Sequence, residues 1–336
     1  MNTFKTYDEL NERLEALADE IPEKKAAKEA AAVKKAEAYN TAFWETMHTG
    51  MPQNAMKEGS DGSGGYLVPD TFDEKLTEQL AQENVLRRIS QVFKTSRRLR
   101  IPVAEDMDCA AWVPEGTPIP FLDAEIGEIV IDAHKLATSI KVSDELLEDS
   151  GFDLEAYIRS VFAKRIGEKE EEGFLKGSGG GMPVGLIYQT PVGAVSEEVG
   201  DISIDDMIDL MHALEEPYRA KAVWLVSNHA YQKIRKITNH NGVPLWQNQP
   251  EEGKPETLLG YPILVSNHLD SVAPGSKPVL FGDFNFYWIG DRQGVTFKRL
   301  NERYADTGQI GFLATKRVDA KLVLPEAIKC LEIKAA

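Results

Sequence analysis

The chain has 336 residues, 42% hydrophobic and 27% charged, the balance of a globular protein with a sizeable core and length enough for two domains. Its 54 acidic residues against 38 lysines and arginines leave a formal charge of −16, which argues against specific nucleic-acid recognition through a basic, phosphate-neutralising face. No run of 18 apolar residues occurs, so no membrane-spanning helix is expected, and the start, Met1-Asn2-Thr3-Phe4-Lys5, soon turns acidic without the apolar stretch of a secretory signal. A product made and used inside a cell, or released by its lysis, is therefore expected. Two distant cysteines, Cys109 and Cys330, read as reduced thiols, with a bridge between them left open.

Residues 7–47 read as helix. Leu10, Leu14, Leu17 and Ile21 form a narrow apolar seam, Pro22 interrupts, and an Ala/Lys-rich stretch from Lys24 to Tyr39 resumes. So polar a segment is expected to pack on a partner or stay mobile. Gly59–Gly65 is a linker by composition, and an organised body begins at Tyr66 with a helical pattern over Phe72–Asn84. Residues 98–142 read as a two-limbed hairpin: an extended limb Arg98–Val113, a Pro/Gly-rich bend, and a β-branched limb Glu128–Val142. Limbs of about 15 residues at roughly 3.3 Å each would span on the order of 50 Å. That exceeds what a compact domain needs, so the tip is expected to leave the body and lie on a neighbour.

A long amphipathic helix follows, Asp153 to about Leu175, with Leu154, Tyr157, Ile158, Val161 and Phe162 as its buried stripe and Glu168–Glu172 facing water. It stops at Gly177–Gly181 with Pro183 beyond. From Ile202 to Ile289 helices and apolar strands alternate: helices over Ile204–Leu214 and Ala230–Ile237, strands over Val223–Val226, Ile263–Val265 and Val279–Phe281. Val295–Ile333 is mostly strand. The class expected is α+β.

Motifs that carry chemistry are lacking. Gly177–Gly185 follows a helix and runs into proline, the reverse of a phosphate loop, and reads as a turn. The six histidines form no HxxxH or Cys/His cluster, so neither metal nor cofactor is expected. Ser227-Asn228-His229 and Ser266-Asn267-His268 read as strand-end turns. The acidic pairs are those that 54 carboxylates produce by chance. The densest basic stretch, Arg87-Arg88, Lys94, Arg97-Arg98 and Arg100, reads as a solvated or inter-subunit face.

The order of certain stretches resembles the major capsid protein family of tailed bacteriophages, the group with the Hong Kong 97-type fold. These are Ala42-Phe43-Trp44, Gly62–Pro69, Ala111–Glu115, Phe174–Ile187, Trp224–Asn228, Asn241-Gly242, Leu258–Val265 and Phe281–Arg292, collinear over about 42–336. The resemblance implies an N-terminal helical, scaffold-like segment with linker (1–58), an N-arm (59–97), an extended β-hairpin loop overlapping a neighbouring subunit (98–142), a peripheral domain with a long spine helix (143–199), an α/β axial domain (200–294) and return strands of the peripheral domain (295–336). It implies a structural role, not an enzyme: hexamers and pentamers of the chain itself in a virion capsid, assembled in the bacterial host cytoplasm. Such a shell encloses DNA without specific recognition, and a portal protein and a maturation protease are further partners.

Crowding of Glu105, Asp106, Glu115, Asp123 and Glu125 near the loop tip, against Lys298, Arg299, Arg303, Lys316 and Arg317 in the C-terminal strands, marks candidate inter-subunit contacts, with Trp112 beside them. Some family members weld subunits by Lys–Asn isopeptide bonds assisted by a Glu. The matching positions here are Glu128, Gly308 and Thr315, which lack that chemistry, although Lys135 and Asn301 lie near in sequence. An encapsulin-like compartment of the same fold is the alternative reading, and a self-ligating isopeptide-forming enzyme or nucleotide-binding protein a remote one.

Overall fold

The computed structural model describes residues 34–50, 66–67, 69–104, 113, 126–148, 153–238 and 256–335. The Leu10–Ile21 seam, the Gly59–Gly65 linker, Cys109, Asn241-Gly242 and most of the loop tip, including Trp112, Glu115, Asp123 and Glu125, lie outside them. The chain divides into two units, one made of 1–75, 139–157 and 296–313, the other of 76–138, 158–295 and 314–336.

The first unit is organised by aromatic rings. Residues 34–49 are helical (α1), and Phe43, Trp44 and Met47 are buried. Phe72, near the start of α2 (Asp70–Glu83), lies 5.1 Å from Trp44 and 5.9 Å from Phe297 between ring centroids, and Phe43 stands edge-on to Phe297. The short strand β1 (Tyr66–Leu67) pairs antiparallel with β12 (Thr296–Leu300), placing Tyr66 opposite Phe297. The end of the N-terminal helix thus packs on its own chain, where the sequence pattern calls for a partner. The aromatic pair Phe43-Trp44 outweighs the polar stretch before it. At the helix end Gly50 has φ +76, the left-handed conformation that favours glycine, and the Arg299 guanidinium lies against it.

In the second unit a six-stranded mixed sheet has the order β6 (Val192–Val199), β14 (Ile328–Lys334), β10 (Val279–Gly282), β7 (Val223–Ser227), β9 (Tyr261–Ser266), β8 (Thr257–Leu258). Side chains alternate across it with the period of two that a strand imposes. Trp224, Val226, Val279, Phe281, Leu331 and Ile333 share a core with Met207 and Leu210 of α7 (Ile204–Ala213) and Ala230 and Ile234 of α9 (Asn228–Lys236). Leu225, Leu280, Ile328 and Cys330 instead join Phe174 and Leu175 of α5 (Leu154–Lys176). Strand β14, grouped by sequence with 295–336, hydrogen-bonds to β10 and β6 in the middle of this sheet.

Local signals set the helix ends. Ser203 and Asp206 form a reciprocal capping box on α7. Ser227 caps α9 through the Ala230 amide, so the first Ser-Asn-His triplet opens a helix directly instead of forming the expected turn, whereas Ser266 Oγ accepts from His268 N in the expected strand-end turn. The glycine run after α5 is a turn closed by Gly185 N donating to Gly177 O; a Cβ at Gly177 would lie 2.0 Å from Pro183 O.

The hairpin differs from its expected form. Strands β3 (Leu99–Ala104) and β4 (Ile126–Ile131) pair over six positions as a separate two-stranded ribbon, about 17 Å at ~3.4 Å per residue. The second limb breaks at Asp132-Ala133, and β5 (His134–Ser143) pairs with β13 (Gln309–Leu322) instead. F297A should lower stability by about 3–5 kcal/mol by emptying the ring cluster, while E302A at an exposed site should change it by less than about 0.5 kcal/mol. Urea unfolding followed by tryptophan fluorescence checks both.

Candidate functional site

The root of the ribbon is held by charge. Asp132, just after β4, pairs with Arg98, just before β3, at 2.5 Å and with Arg292 at the end of β11 (Tyr287–Arg292) at 3.4 Å. The Arg98 hydrogen bond holds the Asp132 carboxyl below its ordinary pKa. The Asp132 amide donates to Asp319 at 2.8 Å. Arg98 is thus the part of the basic stretch that ties together the two strands at the root of the ribbon.

Deeper in that unit the structure overturns three expectations from the sequence. Arg87, read as part of a solvated or inter-subunit face, is buried on α3 (Val85–Ile89). Glu170 and Glu171, read as facing water, are each 2% exposed, and Lys316, a candidate for inter-subunit contact, is 4% exposed. Arg87 donates from Nε to Glu170 at 2.6 Å and, as a two-pronged fork, to Asp291 at 2.8 and 2.9 Å. Lys316 Nζ lies 3.2 Å from Glu170 and 3.5 Å from Asp291. Two cations and two anions thus neutralise one another out of water, which is what makes burying any of them tolerable. Glu171 accepts from the Val85 amide at 3.1 Å and from the Ser266 hydroxyl. The misreadings share one cause: an isolated run of charges gives no hint of counter-ions 83 to 204 residues away.

Burial works against the charge of Arg87, but Glu170 and Asp291 outweigh it and hold the guanidinium's pKa above its ordinary value. Burial alone would raise Asp291; Arg87 and Lys316 bring its pKa down to about 2.

Of the other C-terminal candidates, Lys298, Arg303 and Arg317 are exposed. Arg303 lies 5.6 Å from the Tyr304 ring centroid, and Lys141 lies over the same ring at 4.3 Å. Arg299 is half-buried against Gly50, where burial lowers its pKa and Asp144 opposes that. Trp112, Glu115, Asp123 and Glu125 lie outside the described residues. Glu128 pairs with Arg100 on the ribbon at 3.3 Å, Gly308 is a left-handed turn residue, and Thr315 is on β13. Among the described residues no group of three His, Cys, Asp or Glu could hold a metal, and no helix is long and apolar enough to cross a membrane. Cys330 is a buried free thiol, and burial raises its pKa.

Because the pKa of Asp291 in the fold lies below its ordinary 3.8, its stabilisation is present above that pH and is lost as pH falls toward about 2. D291N should therefore flatten the stability profile below pH 3.8. By leaving Arg87 and Lys316 under-neutralised it should also cost about 3–5 kcal/mol at neutral pH. Denaturation curves from neutral to pH 2 check both.

Residues 64–333 match the phage capsid family. The chain is 23% identical over 246 residues to the major capsid protein of Klebsiella oxytoca phage phiKO2, covering 68% of this chain and 56% of that protein. It is also 23% identical over 266 residues to the major capsid protein of Escherichia phage T5, covering 74% and 58%. It therefore spans a little over half the length of these curated relatives. Among solved structures, the capsid of a native GTA particle, computed with C5 symmetry, aligns with TM-score 0.66 and 26% identity over 85% of this chain and 95% of that one. A chain of Microbacterium phage Oxtober96 aligns with TM-score 0.58 and 14% identity over 75% and 91%, a likeness of fold alone. This chain belongs to the phage capsid family and carries the Hong Kong 97-type α+β fold that the order of its motifs implied.

Proposed function

We propose that the chain is the structural subunit of an icosahedral phage or prophage capsid. Copies of it assemble into pentamers and hexamers that close around double-stranded DNA. It acts by contact, without catalysis, and the shell holds without covalent cross-links. The observation that carries this reading is the correspondence with the GTA capsid chain, which runs through 95% of that chain. The curated relatives support a phage capsid over a protein compartment of the same fold, since both are phage major capsid proteins.

The physical features fit. A ribbon of two strands separate from both larger sheets has little to hold it except another surface. A formal charge of −16 suits a wall that must not bind DNA tightly. A portal protein and a maturation protease complete the expected set of partners, and assembly takes place in the host cytoplasm. An isopeptide bond needs an amine, an amide and a proton-shuttling carboxylate, none of which Glu128, Gly308 and Thr315 supply in the required places, Glu128 standing where the amine would be.

Electron microscopy of the purified chain should reveal closed particles, and deleting 104–128 should leave capsomers or aggregate. Intact particles boiled in detergent should run as a single band. Normal shells from the deletion would sink the role of the loop, and a ladder surviving boiling would sink the non-covalent reading. Reversing the exposed cations, R303E with R317E, should slow assembly and make it more sensitive to salt, because rim charges act mainly on association rate. Light scattering at low and high salt reads this out, and identical rates in both would remove these residues from the contact.

A further inference from the structure

The six-stranded sheet of the second unit ends in β6 on one side and in the β8–β9 hairpin on the other. Alternation along β14 sends Leu331 and Ile333 toward α7 and Cys330 away from it, so Glu332 and Lys334 share the Cys330 face. Val192, Val195 and Val199 of β6 stand opposite Cys330, Glu332 and Lys334, two register shifts having absorbed the uneven spacing. Ser196 Oγ accepts from the Lys334 amide at the second shift. A Cβ at Gly193 would meet Leu210 and Ala213 of α7, so the valines on the other face are not covered by that helix. They are 42%, 56% and 52% exposed. Bulges that bring three apolar side chains onto one face of an edge strand, and leave them wet, mark a contact surface.

The opposite edge breaks a local rule. Leu259 and Gly260 form the two-residue turn between β8 and β9, with φ +51 and +86. That left-handed pair is the turn for which Asn-Gly is preferred, and a leucine there is strained. Leu259 is also exposed. Neither the turn nor the core of this chain calls for leucine at that position. The two edges differ in charge as well. Residues 190–217, which hold β6 and α7, contain no lysine or arginine, while Glu197, Glu198, Asp205 and Asp209 are exposed. Helix α9, packed on β7 and β9, carries Lys233, Arg235 and Lys236 and no acid, and Arg235 reaches Glu256 just before β8. Edges of opposite charge suit each other and repel their own kind.

Strands β6 and β9 run in the same direction, as the pairings through β14, β10 and β7 require. The Leu259 turn enters β9 at the end of the sheet where β6 begins. Copies set side by side in one orientation therefore bring Leu259 level with the start of the next copy's valine row. A ring needs such a head-to-tail contact between two different patches, each copy giving one and receiving the other. We infer that copies meet through the two edges of this sheet, Leu259 of one seating on Val192 and Val195 of the next, with basic α9 against the acidic edge. The inference rests on the shell reading and deepens it, naming the surfaces that join copies within a pentamer or hexamer.

L259N restores the preferred turn sequence, so the unassembled chain should unfold at the same temperature or higher. The same variant should raise the concentration at which particles first form by about tenfold or more, because a leucine side chain is no longer buried at the contact. V195K, at an exposed position facing the basic edge of the next copy, should act likewise. Chains of C109A/L259C mixed with chains of C109A/V195C during assembly should give linked dimers with a short bismaleimide, and each chain assembled alone should give none. Cys330 is buried and does not compete. L259N particles forming at the unmodified chain's concentration, or mixed particles without linked dimers, overturn the contact and leave the shell reading standing. Linking in either chain alone puts like edges together and also overturns the contact. Failure of the unmodified chain to form particles overturns both readings.

Discussion

The second unit depends on four charges that have no water. Arg87, Glu170, Asp291 and Lys316 come from α3, α5, β11 and β13, and none can be buried unless the other three arrive in place. Such a cluster contributes modestly to net stability, because the cost of desolvation offsets most of the attraction, but displacing any one member leaves an uncompensated charge. Its main effect is on geometry. The long helix cannot slide or rotate on its sheet without breaking a two-pronged arginine contact, so its seating is set to within a hydrogen-bond length.

The apolar layers do complementary work. Alternation along β7, β10 and β14 sends Trp224, Phe281 and Leu331 to one core and Leu225, Leu280 and Cys330 to the other. A one-residue slip would exchange every one of them, so register is strongly specified. The ribbon is the opposite case. Its two strands pair only with each other, and its position at the root rests on the Asp132 contacts with Arg98 and Arg292.

Elements with strong periodicity were legible in the sequence: α2, α5, α7, α9, β7, β9 and β10 all lie within a few residues of their expected bounds. So were the strand-end turn at Ser266-Asn267-His268 and the glycine turn after α5, whose signals are local. Interactions across long sequence distances were not. A run reading Glu-Lys-Glu-Glu-Glu looks like a wet helix face, and only the fold brings Arg87, Lys316 and the Val85 amide to two of its carboxylates. The same holds for the break at Asp132-Ala133. β-branched residues stop at Ile131 and resume at Thr138, which reads as one interrupted limb, whereas β4 pairs with β3 and β5 with β13. Of the candidate contacts, the exposure of Lys298, Arg303 and Arg317 agrees with their charge, while Lys316 shows that charge alone does not place a side chain at a surface.

In the shell of pentamers and hexamers proposed above, one sequence would occupy positions of unequal local symmetry, so each copy would have to deform somewhere by a small amount. Close-packed cores and a locked ion cluster resist deformation, since interiors repack in discrete steps instead of yielding smoothly. A ribbon with a single line of hydrogen bonds and a water-exposed ionic root can bend and twist while every bond is kept. The strain of non-equivalence would then collect in the part of the subunit where compliance costs least, and the two cores could be identical in every copy around the shell.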